Sequence, residues 1–315
     1  MTRRPPKNIA ASVRQRLLNK AKETGRPFSE LLQYFAMERF LYRLSKSRYL
    51  DNFVLKGALM LTVWEAPLTR PTMDIDLLGR IDNSIETIVE VTKEICRQEV
   101  EPDGIDFDIA TIEAEHIAED ADYEGIRVRF RGSLDTARIV MQLDIGFGDI
   151  VIPSPEPMSY PTLLDLPTPH LCGYSRESTI AEKFEAMVKL GILNSRMKDF
   201  FDIWLMSRQF EFDGATLAEA ISKTFSTRGT SIQPKPIALT NSFTEDTTKA
   251  VQWRGSYPQK SIKKCSAKFR GSDHSHRCIP HANCRTVGRR PCLQSNLEGP
   301  RNLAGMKLNC PKELL

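Results

Sequence analysis

Cysteine is scarce through most of this chain. Residues 1–255 hold only Cys96 and Cys172, while Cys265, Cys278, Cys284, Cys292 and Cys310 crowd residues 256–315. Two cysteines cannot staple a fold of this size, so the first 255 residues must rely on an apolar core, with the cysteine usage of a reducing compartment. Long hydrophobic runs are missing too. FVLKGALMLTVW, residues 53–64, is interrupted by Lys56 and falls short of the roughly 20 apolar residues a bilayer span needs. The opening MTRRPPKNIA is charged but has no apolar stretch behind it, so a secretory leader is not expected. A soluble cytoplasmic protein with no membrane attachment is the expectation. Apolar residues make up 41% of the 315, which excludes wholesale disorder and suffices for one large domain or two ordinary ones.

Acidic residues are nearly missing from 256–315. That stretch carries twelve of the 44 Lys/Arg but only Asp273, Glu298 and Glu313 of the 40 acids, which leaves residues 1–255 with 32 basic and 37 acidic side chains. The net charge of +4 therefore averages two unlike segments. From Ser256 onward the apolar periodicity of folded elements also stops. HSHRCIPHANC (His274, His276, Cys278, His281, Cys284) places zinc-type ligands close together, yet it matches no structural zinc spacing such as C-x₂-C paired with H-x₃₋₅-H. Residues 256–315 are expected to be disordered, as a frameshifted reading of a former helical segment would be.

The rest of the chain has regular patterning. Residues 8–48 read as helical, with Ser29 as a candidate N-cap and Leu31, Leu32, Phe35, Phe40, Leu41 and Leu44 at helical spacing. This stretch is rich in Arg and Lys, which suits either a nucleic-acid surface or an ordinary solvated helix face. Then follow a short strand FVL, a turn at Lys56-Gly57, an apolar helix ALMLTVWEA, and a strand within RPTMDIDLLG. SIETIVEVTKEICRQ reads as an amphipathic helix, and IDFDIATIEA, GIRVRFRGSL and ARIVMQLDIGFG as strands. ESTIAEKFEAMVKLGIL, RMKDFFDIWLMSRQ and TLAEAISKTF read as helices. This order predicts an α+β or α/β fold with a small mixed sheet, of which α+β is the expectation taken forward.

Two aspartates stand out. Alternation in RPTMDIDLLG puts Met73, Ile75 and Leu77 on one face and Asp74 with Asp76 on the other, about 7 Å apart along the backbone. Carboxylates that close repel unless neutralised, and a hard divalent cation neutralises them while also binding phosphate oxygens. An exposed edge strand with solvated acids is the plainer alternative. MQLDIGFGD repeats the arrangement, with Asp144 opposite to Met141, Leu143 and Ile145, so a third carboxylate would complete a metal clamp for phosphoryl transfer. Gly57, between a strand and a helix start, leaves backbone N–H groups able to receive a phosphate. Arg70 and Thr72 flank the acid pair on its own side, where a triphosphate would lie.

Two later helices place charge on their apolar sides. At 100° per residue, Lys183 falls within the arc of Ile180, Phe184, Met187 and Leu190, whereas Lys189 falls outside it. Asp199 sits among Phe200, Ile203 and Met206, with Asp202 at the edge. Charges aimed inward are paired or functional. A Lys183–Asp199 ion pair bracing the helices is one reading, and a site role the other.

VLKGALML…RPTMDIDLL, LDIGFGD and STIAEKFEAMVKL…RMKDFFDIW together resemble the AbiEii/AbiGii family of nucleotidyltransferase-like toxins, over about residues 8–253. The resemblance implies the minimal DNA-polymerase-β-like fold and a toxin of type IV toxin–antitoxin and abortive-infection systems. It implies a core at residues 51–155, a basic helical part at 1–50 and a helical part at 156–255 that completes the site. Asp74 and Asp76 match the family's metal pair, Gly57 its glycine motif, Lys183 the lysine of its AEK helix and Asp199 the aspartate of its RD…D helix. Asp144 sits where the fold carries its third carboxylate. Ala58 departs from the family's Gly or Ser, so nucleotide contacts would lean on backbone amides, Arg70 and Thr72. The activity implied is Mg²⁺- or Mn²⁺-dependent nucleotidyl transfer (EC 2.7.7-type) from an NTP to an acceptor such as a tRNA end, with a cognate antitoxin as partner. An inactive NTP-binding protein on this fold, or a phosphohydrolase or nuclease using the same carboxylates, are the competing expectations.

Overall fold

The computed structural model of the chain describes residues 8–66, 71–117 and 125–256. Arg70 and residues 257–315, with the disorder and zinc questions attached to them, lie outside those residues.

Helix α1 (Ile9–Thr24) starts where the Asn8 side chain accepts from the Ala11 N–H at 3.0 Å, and stops at Gly25, whose φ of 66° is the left-handed cap that glycine favours. Helix α2 (Phe28–Lys46) begins directly after Pro27, whose carbonyl accepts from the N–H groups of Glu30 and Leu31. Ser29 thus lies in the first turn and does not cap it.

Every residue of α2 from Leu31 to Leu44 is buried. That overturns both readings of its basic residues at two positions. Arg39, 1% exposed, lies 2.6 Å from Glu38 and donates to the Pro167 carbonyl, while Arg43 forms two hydrogen bonds with Asp103 at 2.7 and 3.1 Å. Buried cations persist only when paired in this way.

Among the described residues, seven strands form one mixed sheet in the order β3-β4-β5-β2-β1-β7-β6. They are β1 (Phe53–Lys56), β2 (Ile75–Gly79), β3 (Ile105–His116), β4 (Gly125–Leu134), β5 (Ala137–Phe147), β6 (Glu156–Ser159) and β7 (His170–Gly173). β2 pairs antiparallel with β1 and parallel with β5, and β7 runs parallel to β1. The mixed sheet agrees with the expected α+β class. β6 and β7 are not among the expected strands, because EPMS contains a proline and HLCG lacks β-branched and aromatic residues.

Helices α1, α2 and α4 (Ile85–Arg97, capped by Ser84) cover one face of β3–β4–β5. The inward residues Val128, Phe130, Met141 and Leu143 are buried there, and Phe40, Phe107 and Phe130 meet with centroids 5.6–6.1 Å apart. Helix α3 (Leu59–Val63) is only five residues, shorter than ALMLTVWEA suggests, and the chain turns away at Glu65, φ 55°. Helices α5 (Arg176–Leu190), α6 (Met197–Gln209) and α7 (Gly214–Thr227) follow, with α5 packed on both others. A second compact unit starts at Leu239 and includes α8 (Asn241–Thr244) and α9 (Thr247–Ser256). No helix among the described residues is long and apolar enough to cross a membrane.

Candidate active site

Strand register brings the predicted acids together. Asp76 lies opposite Asp144 across the β2–β5 pair and opposite Lys56 across β1–β2. Asp74 immediately precedes β2, and one carboxylate oxygen from each of Asp74, Asp76 and Asp144 lies within 4.8 Å of the others. Ile75 and Leu77 point into the core as alternation requires, but Met73 is 57% exposed because the strand begins only at Ile75.

Each acid has a distinct environment. Asp144 is gripped by Arg127, its cross-strand neighbour on β4, through Nε–Oδ1 at 2.8 Å and Nη2–Oδ2 at 2.7 Å, and also accepts from Gln142 at 3.2 Å. Asp74 accepts from the Thr72 hydroxyl, and the Thr72 N–H donates to the Tyr34 hydroxyl at 3.1 Å. Thr72 is itself buried, so its hydroxyl orients the acid. Asp76 is the strained member. Burial, with the nearby Asp74 and Asp144 charges, pushes its carboxyl up to about 6, against the opposing pull of Lys56 and Lys198.

Gly57 makes room for that carboxylate. It has φ 71° between β1 and α3, and a Cβ there would lie 1.9 Å from Asp76 Oδ2. Lys56, just before it, reaches Asp149 at 2.9 Å and Glu182 of α5 at 3.0 Å. Arg228 extends this network, bonding Asp149 at 2.8 Å and Glu185 at 3.0 Å. The glycine turn is thereby tied to α5.

Lys183, one residue beyond Glu182, lies 2.8 Å from Asp199 and 2.9 Å from Asp202. Burial would lower its pKa, but the two carboxylates outweigh burial and hold it well above the usual lysine range. Arg196 reaches Asp199 as well, at 2.9 Å. The inward phase of Lys183 and Asp199 is therefore met by an ion pair between α5 and α6, with Asp202 as a full member. Lys189 is exposed.

A family model for the nucleotidyl transferase AbiEii toxin of type IV toxin–antitoxin systems matches residues 39–260. The chain belongs to the AbiEii family. The match spans the three carboxylates, the glycine turn and the α5–α6 ion pairs. No curated protein matches the sequence. Among solved structures, JHP933 from Helicobacter pylori is similar at 14% identity and TM-score 0.39, over 76% of this chain and 96% of that one. A candidate nucleotidyltransferase from H. pylori is similar at 13% identity and TM-score 0.30, over 63% of this chain and 92% of the other.

In this AbiEii protein the acid cluster suits the divalent metal typical of nucleotidyltransferases. All its donors are hard oxygens, and burial together with the adjacent Asp74 and Asp144 charges raises the Asp76 carboxyl, a penalty that a bound cation would relieve. Arg127, Lys56 and Lys198 escaped sequence reasoning, and Asp202, read only as lying at the edge of the inward arc, is a full partner of Lys183. Arg127 could have been found from its place at an outward β4 position, since an acid facing it across the sheet needs a partner. Lys198 adjoins Asp199, but its exposure makes it look like any solvated lysine.

Proposed function

We propose that this AbiEii toxin is a metal-dependent nucleotidyltransferase that moves a nucleotide from an NTP to an RNA acceptor such as a tRNA end. The observation that carries this reading is the convergence of Asp74, Asp76 and Asp144 beside a glycine turn. An acceptor hydroxyl oxygen attacks the α-phosphorus, the bond to the bridging oxygen of the β-phosphate breaks, and pyrophosphate leaves while the hydroxyl proton passes to a carboxylate or water. Asp74, Asp76 and Asp144 would hold a Mg²⁺ or Mn²⁺ ion, which would supply Lewis-acid stabilisation of charge on the phosphate oxygens; Thr72 orients Asp74 and Arg127 orients Asp144.

The triphosphate needs cations that are not already engaged. Lys183 is matched by two aspartates and braces α5 against α6 beside the site. Lys198 is exposed and forms no hydrogen bond or ion pair among the described residues, yet its charge acts on Asp76. We assign triphosphate contacts to Lys198, the Gly57 turn and Arg70. In this arrangement residues 51–155 form the transfer core, helices α1 and α2 within 1–50 buttress it, and helices α5 and α6 within 156–255 complete the site. The protein works in the cytoplasm, opposed by a cognate antitoxin.

Incubation with α-³²P-labelled NTPs, Mg²⁺ and total RNA tests the reading. Label in full-length RNA is expected. Released nucleotides or shortened RNA would mark a hydrolase or nuclease, and no metal-dependent NTP binding by calorimetry would mark an inactive relative.

A further inference from the structure

The side of β4 and β5 opposite α1, α2 and α4 continues outward from the acid cluster. Alternation sets Arg127, Arg129 and Arg131 in one row along β4, and Asp144, Gln142, Val140 and Arg138 in the facing row along β5. In register, Arg127 stands opposite Asp144, Arg129 opposite Gln142, and Arg131 opposite Val140. The next outward position pairs Ser133 with Arg138. The face therefore offers one guanidinium at each two-residue step, roughly 7 Å apart by strand rise, over a path of about 20 Å from the acids.

The cations grow freer with distance. Arg127 is bound to Asp144, and Arg129 to Glu115 at 2.7 Å. Arg131 and Arg138 are exposed, and their side chains form no ion pair among the described residues. Val140, 65% exposed, lies between them as an apolar contact point. On the far side β3 presents Asp106, Asp108, Glu113 and Glu115, opposite Ser133, Arg131, Arg129 and Arg127. An acidic border beside a cationic track confines a polyanion to the β4–β5 rows.

From this geometry we infer that the outer face of β4–β5 is the docking track for the single-stranded end of the RNA acceptor. The inference rests on the RNA-acceptor reading and adds where the chain lies. A mononucleotide is too short to use a track of this length, whereas a phosphodiester backbone repeats its charge along it. Phosphates bind the guanidiniums, an unstacked base rests on Val140 and Arg131, and the terminal hydroxyl arrives at Asp144.

The test is fluorescence anisotropy with a short labelled single-stranded RNA, using full-length wild type, Arg131→Glu with Arg138→Glu, and Lys20→Glu with Lys22→Glu on α1 as a charge-matched control. The track variant is expected to bind RNA at least tenfold more weakly. Against log salt its log K should be shallower by about 1.4, the value for two lost single-strand phosphate contacts. Its NTP affinity, read by calorimetry, should equal that of wild type. RNA binding equal to wild type in the track variant, or equal losses in track and control, would overturn the inference. So would a wild type that binds no RNA, or a face that captures an acidic protein segment instead of RNA. A wild type without NTP binding would instead remove the transferase reading, which calorimetry reports separately.

Discussion

A methyl group added to Gly57 would lie 1.9 Å from Oδ2 of Asp76. The glycine at the end of β1 and the acid on β2 are thus complementary: the carboxylate occupies the space where any other residue would carry a side chain.

Gly57→Ala should therefore displace Asp76 and lower transferase activity by at least about 100-fold, the scale of losing one key electrostatic contact in the transition state. Gly25→Ala is the control. Its φ of 66° imposes a similar backbone strain, but nothing lies within 4 Å of the added atom. It should lower the melting temperature and leave activity intact. Equal activity losses would mean that strain alone explains Gly57.

Asp74→Asn and Asp76→Asn should each reduce turnover at least about 100-fold while preserving the circular dichroism spectrum. Asp76→Asn should also melt no lower than wild type in metal-free buffer, since it removes a buried charge beside two others. A variant that transfers nucleotides at the wild-type rate would refute the carboxylate assignment.

The raised carboxyl of Asp76 gives a pH signature. Its folded value of about 6 lies above the ordinary 3.8, so the metal-free fold keeps the proton that an unfolded chain releases. This group's stabilising contribution is complete below pH 3.8 and is lost as pH rises through about 6. Metal binding works in the opposite sense, because the cation needs the ionised acid. Mn²⁺ affinity, followed by electron paramagnetic resonance, should fall up to tenfold per pH unit below about 6 and level off above it.

Lys183→Ala would leave Asp199 and Asp202 without their shared ammonium. Removing one partner of a buried pair costs about 3–5 kcal/mol, so a marked drop in chemical-denaturation stability is expected, with Asp199→Asn partly restoring it. Lys189→Ala, on the exposed side, should change stability by less than about 0.5 kcal/mol. Unchanged stability in Lys183→Ala would mean the ion pair braces nothing.

Lys198→Ala should behave in the reverse way, with the melting temperature held and NTP affinity lowered about tenfold. Calorimetry on both lysine variants separates a cation that meets substrate from one that holds helices. If only Lys183→Ala, still folded, loses NTP, the two assignments must be exchanged.

Much of this site was legible because β-strand alternation and helix phase are local rules. Period two is enough to separate Asp76 and Asp144 from Ile75 and Leu143, and 100° per residue is enough to turn Lys183 and Asp199 inward. What escaped depends on contacts between distant segments. Arg127 finds Asp144 only through strand register, and Asp202 finds Lys183 only once α5 packs on α6. β7 is a strand because β1, more than a hundred residues earlier, offers it an open edge. The cations of α2 were misjudged for a related reason: a long arginine looks solvent-bound until a buried partner such as Asp103 is known.

The parallel partnership of β2 with β5, and the ion pairs between α5 and α6, have a consequence during synthesis. Gly57 leaves the ribosome well before Asp144, and Asp144 before Lys198. At about 5–20 residues per second, roughly 7–30 s separate the first of these groups from the last. A nascent chain that has exposed β1 and β2 still lacks the strand carrying its third acid, and one that has added β5 still lacks the helices that close the site. On the transferase reading, chemistry would begin only when nearly the whole matched segment has emerged.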